Sequence, residues 1–332
     1  MERGVRPFYF RAYDSDTRYW RPSNADGKCH IADALAESLG VKRWNDLENI
    51  EETKKMLVTI KGQPAKKPFS GQSCGTELEK LVRLFIEDTF IAHLLPLRPG
   101  TFRIERGGKL LEEYDQYRHL KDMNIAIEAI HDIRVRNRVR ANFASYSVKP
   151  DLLLARKRIS KDAANSLCKG TDEASPLVDK SVANNTVLFQ DSGAEDVDLL
   201  HGIISVKWTI RSDRAQNART EGAFSTRERR GRAPHFVVVV GEPRPSRIRS
   251  LAMGVDIDCV YHVCLPELEQ VIHGIGSMPE DDKTTIDEAA TDEGLFANKQ
   301  TSSRMTELDW LNVLKDLNRL RDISDLPFDL VI

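Results

Sequence analysis

"HGIISVKWTIRSDRAQNARTEG", residues 201–222, decides how this chain folds. It opens as an apolar run and turns densely charged after Lys207. Side chains along an extended strand alternate between faces. The spacing therefore predicts a strand over 203–210, with Ile204, Val206, Trp208 and Ile210 on one face and Ser205, Lys207 and Thr209 on the other. At Arg211 the alternation stops and a helix begins. A strand running straight into a charged helix is half of a β–α unit, so its partners should lie elsewhere in the chain.

They are present on both sides. "HFVVVV" (235–240) is a short unbroken apolar run, as a strand covered on both faces requires. "DIDCVYHVC" (256–264) reads as another strand, and "YSVKPDLLLAR" (146–156) as one entered through a bend at Pro150. "TELEKLVRLFIEDTFIAHLL" (76–95) and "ELDWLNVLKDLNRL" (307–320) have helical spacing. "GEPRPSR" (241–247) reads as a loop, and the mixed polar residues 157–200 as connections and an insertion. Strands alternating with helices indicate an α/β fold.

At 332 residues the chain can bury a sizeable core. A net charge of −2 gives no sign of a nucleic-acid partner, so any basic surface must be local. Five cysteines without a CxxC pair argue against a disulfide framework or zinc ribbon and suit a reducing cytoplasm. The charged N-terminus, broken by Pro7, does not read as a signal peptide. No apolar run reaches the roughly 18 residues of a membrane span. Residues 277–294 are acidic and poor in core residues, which reads as a flexible surface segment.

Lys207 shares its strand face with Ser205, and several carboxylates could join it. Asp151 follows Pro150 at a strand start, Glu221 lies on the helix after Lys207, and Glu79 sits early on the helix over 76–95. Acids around a lysine make a hard-oxygen site for Mg²⁺, with the lysine stabilising charge on a pentacovalent phosphate. Each residue also has an ordinary reading. Lys207 could face solvent, Thr76-x-x-Glu79 fits a capping box, and Glu221 could pair with Arg214 or Arg219 on a solvated helix face. Arg211-Ser212-Asp213-Arg214 is more specific. Guanine O6 and N7 suit an arginine fork and cytosine N4 suits a carboxylate, so two arginines around an aspartate can read adjacent G·C pairs. A solvated charge cluster is the ordinary alternative.

"ISVKWTIRSDRAQNARTEG" resembles the catalytic and recognition segment of the NgoMIV family of type II restriction endonucleases, PD-(D/E)xK nucleases of the subgroup that cuts around a CCGG core. The likeness recurs in "SNADG" (23–27), "GQSCGTELE" (71–79), "KPDLLLAR" (149–156), "PHFVVVVGEPRPSRI" (234–248), "DIDCVYHVCLPELEQ" (256–270) and "LRDISDLPFDL" (320–330). The resemblance implies a single domain over residues 1–332 with a central mixed β-sheet flanked by helices. Residues 1–20 would be an N-terminal extension and 277–303 a flexible acidic insertion. It implies Asp151 as the main metal ligand, Lys207 positioning the attacking water, and Glu221 and Glu79 completing the acidic shell. The Val206 carbonyl is a further ligand. Ser205 stands where most such nucleases carry an acid.

By the same likeness, Arg211, Asp213 and Arg214 would read the CCGG core. Asp26 and Arg247 would read the outer pair, and Gln72 would contact the minor groove. The implied activity is Mg²⁺-dependent hydrolysis of double-stranded DNA, two ions per site, within GCCGGC to leave 5′ CCGG overhangs. The implied assembly is a homotetramer, the implied genetic partner a DNA cytosine methyltransferase, and the implied location the bacterial cytoplasm. A DNA-binding protein of the same fold without cleavage, or a metal hydrolase acting on a small substrate, are the rival readings.

Overall fold

The computed structural model describes residues 71–108, 111–143, 149–168, 176, 178–179, 186, 188–189, 197–210, 212–276 and 305–332. The extension at 1–20, the acidic segment at 277–303, Asp26 and Arg211 lie outside them.

Six strands form one mixed sheet whose spatial order is the chain order. They are β1 (Phe102–Arg106), β2 (Leu152–Arg156), β3 (Leu199–Lys207), β4 (His235–Val240), β5 (Cys259–His262) and β6 (Leu320–Asp322). β1, β2 and β3 pair antiparallel, and β3 through β6 run parallel. The helices are α1 (Gly71–Ile86), α2 (Arg118–Glu128), α3 (Ile133–Phe143), α4 (Lys161–Leu167), α5 (Ser212–Arg227), α6 (Pro245–Ala252), α7 (Leu265–Gly276), α8 (Glu307–Asp316) and α9 (Leu326–Asp329). Parallel strands need crossovers, and α5, α6 and the α7–α8 segment supply them between successive strands from β3 to β6. The centre of the sheet is covered on both faces. Leu152, Leu153 and Leu154 on β2 and Val238, Val239 and Val240 on β4 are fully buried, each worth about 1.5–3 kcal/mol.

The predicted strand at 203–210 is placed correctly but bounded wrongly. It begins at Leu199 and ends at Lys207. His201 and Gly202 fall inside the strand, and His201 Nε2 bonds the Leu330 carbonyl at 2.7 Å, so its polar ring sits in the core with a partner. Nor is the face carrying Ser205 and Thr209 solvated, for both residues are buried.

The helix expected at 76–95 starts at Gly71 and continues beyond Ile86 as a π-helical segment over Glu87–Leu94. Thr76 and Glu79 are therefore interior to α1 and do not form a capping box at its start. Residues 241–247 are a loop only as far as Arg244, because α6 starts at Pro245, whose missing N–H costs nothing at a first helical position. The helix expected over 307–320 ends at Asp316. Asn318, with φ 59°, turns the chain into β6.

Candidate active site

Three strand ends and two helices, α1 and α5, build the site. β1 ends at Arg106, beside the start of β2. There Gly107 N donates to the Asp151 carbonyl at 2.8 Å. A Cβ on Gly107 would lie 2.6 Å from the Pro150 carbonyl oxygen, so only glycine permits this crossing. Pro150 has no N–H for a ladder, and β2 begins only at Leu152, opposite Ile204. Hence Val206 meets no β2 strand residue, and the Asp151 side chain takes its amide: Val206 N to Asp151 Oδ2 is 2.7 Å.

Asp151 Oδ2 accepts two more donors, Lys207 Nζ at 2.8 Å and Ser205 Oγ at 3.2 Å. Among the described residues no donor reaches Oδ1. The Ser205 hydroxyl also lies 3.3 Å from Glu221 Oε2. A hydroxyl has one proton to give, so Ser205 satisfies one of the two carboxylates at a time. Glu221 reaches the sheet because it stands on the same face of α5 as the buried Ala218 and Ser225. It does not pair with Arg214 or Arg219 on a solvated face.

Burial pushes the Glu221 carboxyl above the usual carboxylate range. Lys207 opposes this, Asp151 adds to it, and the Ser205 hydroxyl relieves part. Glu79 is also raised, by burial and by Asp151, while Arg106 and Lys207 pull it down. The Arg106 guanidinium holds Glu79 Oε2 at 3.3–3.4 Å. Arg106 was not singled out in sequence because β1 is only five residues long and nothing local ties its last arginine to Glu79.

The three carboxylates have no common centre. Among the described residues, no three His, Cys, Asp or Glu side chains close on one point. They are drawn instead onto Lys207, Ser205 and Arg106. The donor set nevertheless fits a hard dication: oxygen donors only, the Asp151 Oδ1 among them without a hydrogen-bond donor from the described residues, and two acids raised by crowding and burial that a cation would relieve. Asp151, Glu221 and the Val206 carbonyl are the groups that could hold it. An extended residue sends its N–H and C=O to the same side of the chain, so the Val206 carbonyl faces the Asp151 side.

Beyond Lys207 the strand exits toward the charged run. Asp213 lies exposed in the first turn of α5, and Arg214 is half-buried. Arg214 Nη1 is held by the Thr209 hydroxyl at 2.9 Å and the Thr209 carbonyl at 3.3 Å. β4 runs parallel beside β3, with Lys207 opposite Val240, so the chain after β4 emerges at the same edge. That brings Arg247, on α6, to the same end of the sheet as Arg214. A Cβ on Gly241 would meet the Trp208 ring at 2.7 Å, which shows how closely the two exits pack. Gln72 lies in the first turn of α1, at the start of the helix that carries Glu79.

Comparison with known proteins shows the family. Residues 44–287 match the NgoMIV restriction enzyme family. The chain is 35% identical over 267 residues to the Type II restriction enzyme NgoMIV of Neisseria gonorrhoeae, an alignment covering 79% of each protein.

Proposed function

The chain belongs to the NgoMIV restriction enzyme family and is a type II restriction endonuclease, and from that premise we propose how it cuts and what it reads. It hydrolyses one phosphodiester per strand of double-stranded DNA within GCCGGC, leaving 5′ CCGG overhangs. The observation that carries this is the junction of Lys207, Asp151, Ser205 and Glu221 at the end of β3, followed at once by the α5 turn bearing Asp213 and Arg214.

Mg²⁺, two ions per site, would supply a lowered pKa for the attacking water and charge neutralisation at the phosphate. Asp151, Glu221 and the Val206 carbonyl would hold it, with Glu79 behind them. Lys207 Nζ, held by Asp151, orients the attacking water and donates to a phosphate oxygen as negative charge develops. Ser205 keeps Asp151 and Glu221 at a fixed separation. Arg211, Asp213 and Arg214 read the two inner G·C pairs of each half-site, and Asp26 with Arg247 reads the outer pair. Gln72 contacts the minor groove. Two-fold symmetry then gives six pairs.

The chain acts as a tetramer, two dimers back to back, beside a cognate cytosine methyltransferase in the bacterial cytoplasm. Among the described residues no helix is long and apolar enough to cross a membrane.

Digestion of a plasmid with and without Mg²⁺, followed by sequencing of the ends, tests the reading. Ends that begin CCGG after a 5′ G, formed only with Mg²⁺, are expected. Cleavage at unrelated sequences would refute the site assignment. A two-site plasmid should be cut faster than a one-site plasmid, and equal rates would refute the tetramer.

A further inference from the structure

Glu242 has no part in the chemistry above, yet it is fully buried where the β3 and β4 exits meet. A carboxylate with no exposure is costly unless it is held, and this one is held on two sides. On one side its Oε2 accepts from Ile210 N at 2.9 Å, while His262 Nε2, at 3.0 Å, reaches only the Glu242 backbone carbonyl. Ile210 directly precedes Arg211. On the other side, Arg247 Nη1 lies 3.8 Å from the same Oε2, with the Arg247 side chain 40% exposed. The second oxygen, Oε1, is buried without a hydrogen-bond partner. Burial raises the Glu242 carboxyl, and Arg247 is the largest influence opposing that rise, followed by the Ile210 amide.

The surroundings of Arg247 are fixed as firmly. Glu307 of α8 caps the start of α6, accepting from Ser246 N at 2.7 Å and Ser246 Oγ at 2.6 Å and pairing with Arg244. The backbone carrying Arg247 is thus pinned from α8, while its guanidinium faces Glu242. A similar device serves its neighbour, since Thr209, the residue before Ile210, anchors Arg214. Two adjacent residues at the β3 exit therefore touch the anchors of both arginines.

We infer that Glu242 is a positioning residue for sequence discrimination. Tied to the Ile210 amide, its buried carboxylate restrains one nitrogen of Arg247 and leaves the exposed edge of that guanidinium aimed at the outer base pair. The inference rests on the proposed outer-pair reading by Arg247. An arginine fork discriminates only when its plane is held, because a freely rotating guanidinium binds phosphate as readily as a guanine edge. Glu242 supplies that restraint from within the protein, before DNA arrives.

The test compares cleavage of GCCGGC and ACCGGT duplexes by the full chain and by Glu242→Gln, Arg247→Ala and the double variant. A duplex altered at an inner pair serves as the internal control. Glutamine keeps the size of the side chain and an acceptor for Ile210 N–H but removes the charge facing Arg247. Arg247→Ala is expected to lower outer-pair discrimination by about 5- to 150-fold. Glu242→Gln should lower it by roughly tenfold, and the double variant no further than Arg247→Ala alone, since both act through one contact. Inner-pair discrimination should stay unchanged.

If Arg247→Ala lowers the outer ratio and Glu242→Gln leaves it unchanged, Glu242 only fills the core and the inference is overturned. Equal losses at inner and outer pairs overturn it too, because they mark general loosening. If Arg247→Ala itself changes nothing, the outer-pair reading has failed, and the inference falls with its premise. Should Glu242→Gln not fold, Glu242→Asp keeps the charge but withdraws it by one methylene, and it must show the same selective loss.

Discussion

Lys207 Nζ lies 2.8 Å from Asp151 Oδ2, across the gap opposite Val206 where β2 has not yet begun. The same oxygen takes the Val206 amide. The lysine and the acid are thus set by backbone geometry as much as by their own attraction. Removing either should damage chemistry more than binding. Lys207→Ala and Asp151→Ala are expected to lower cleavage on the order of 10²–10³-fold or more. Specific binding, measured by gel shift in Ca²⁺, should survive. Near-normal cutting by Lys207→Ala would refute its assignment.

Ser205 bridges two carboxylates with one proton. Ser205→Ala removes the bridge from a fully buried position and leaves Asp151 and Glu221 facing each other. Losing a hydrogen bond to a charged group costs about 1.5–3 kcal/mol, so roughly a tenfold or greater fall in cleavage rate is expected. The loss should be smaller at higher Mg²⁺, since the cation replaces what the hydroxyl relieves. A rate equal to wild type at every Mg²⁺ concentration would contradict this.

Arg106 lowers the Glu79 carboxyl, which burial and Asp151 raise. In Arg106→Met the Glu79 pKa should climb further, so fewer molecules carry the ionised form at a given pH. The acid limb of the pH–rate profile is then expected to move to higher pH. An unmoved limb would show that Glu79 ionisation does not govern activity.

Thr209 anchors Arg214 by its hydroxyl. Thr209→Val keeps the buried shape and leaves only the 3.3 Å contact to the carbonyl. Discrimination at the inner pairs should fall by about tenfold, with outer-pair discrimination intact. Competition between GCCGGC and duplexes altered at one inner pair measures it, and a fall at the outer pair alone would run against the prediction.

His201 and His262 are buried, and burial lowers each to about 4. His262 Nδ1 accepts from Cys264 N at 3.1 Å, a bond that a protonated ring could not make. The unfolded chain takes up protons at these rings below about pH 6.5, whereas the folded protein does so only near pH 4. Their contribution to stability is full above pH 6.5 and lost as pH falls toward 4, at roughly 1.4 kcal/mol per pH unit per ring. NMR of the ring nitrogens between pH 7.5 and 5 should show both neutral. A ring titrating near its ordinary value in the folded state would contradict the assignment.

Much of this was legible in the order of residues. "HFVVVV" is buried throughout as β4 apart from its first residue, as an unbroken apolar run suits a doubly covered strand, and "IISVK", read by its alternation, occupies the end of β3. Asp151, Ser205, Lys207 and Glu221 stood out by residue type, and the structure brings them together. Less was legible where a partner outside the local segment decides conformation. β1 and β6 are short and become strands through their neighbours. His201 belongs to β3 because the Leu330 carbonyl meets it.

Sequence by itself thus determined which residues carry charge and chemistry and the period of the segments that hold them, since periodicity is a local property of the chain. Tertiary structure alone decided their company. Arg106 meets Glu79 only because α1 packs against β1, far along the chain. Glu242 meets Ile210 only because β3 and β4 run parallel in register, so that both chains leave the sheet at one end. Such contacts depend on strand pairing and helix packing between distant segments, and no local spacing encodes which strand a given strand will adopt as its neighbour.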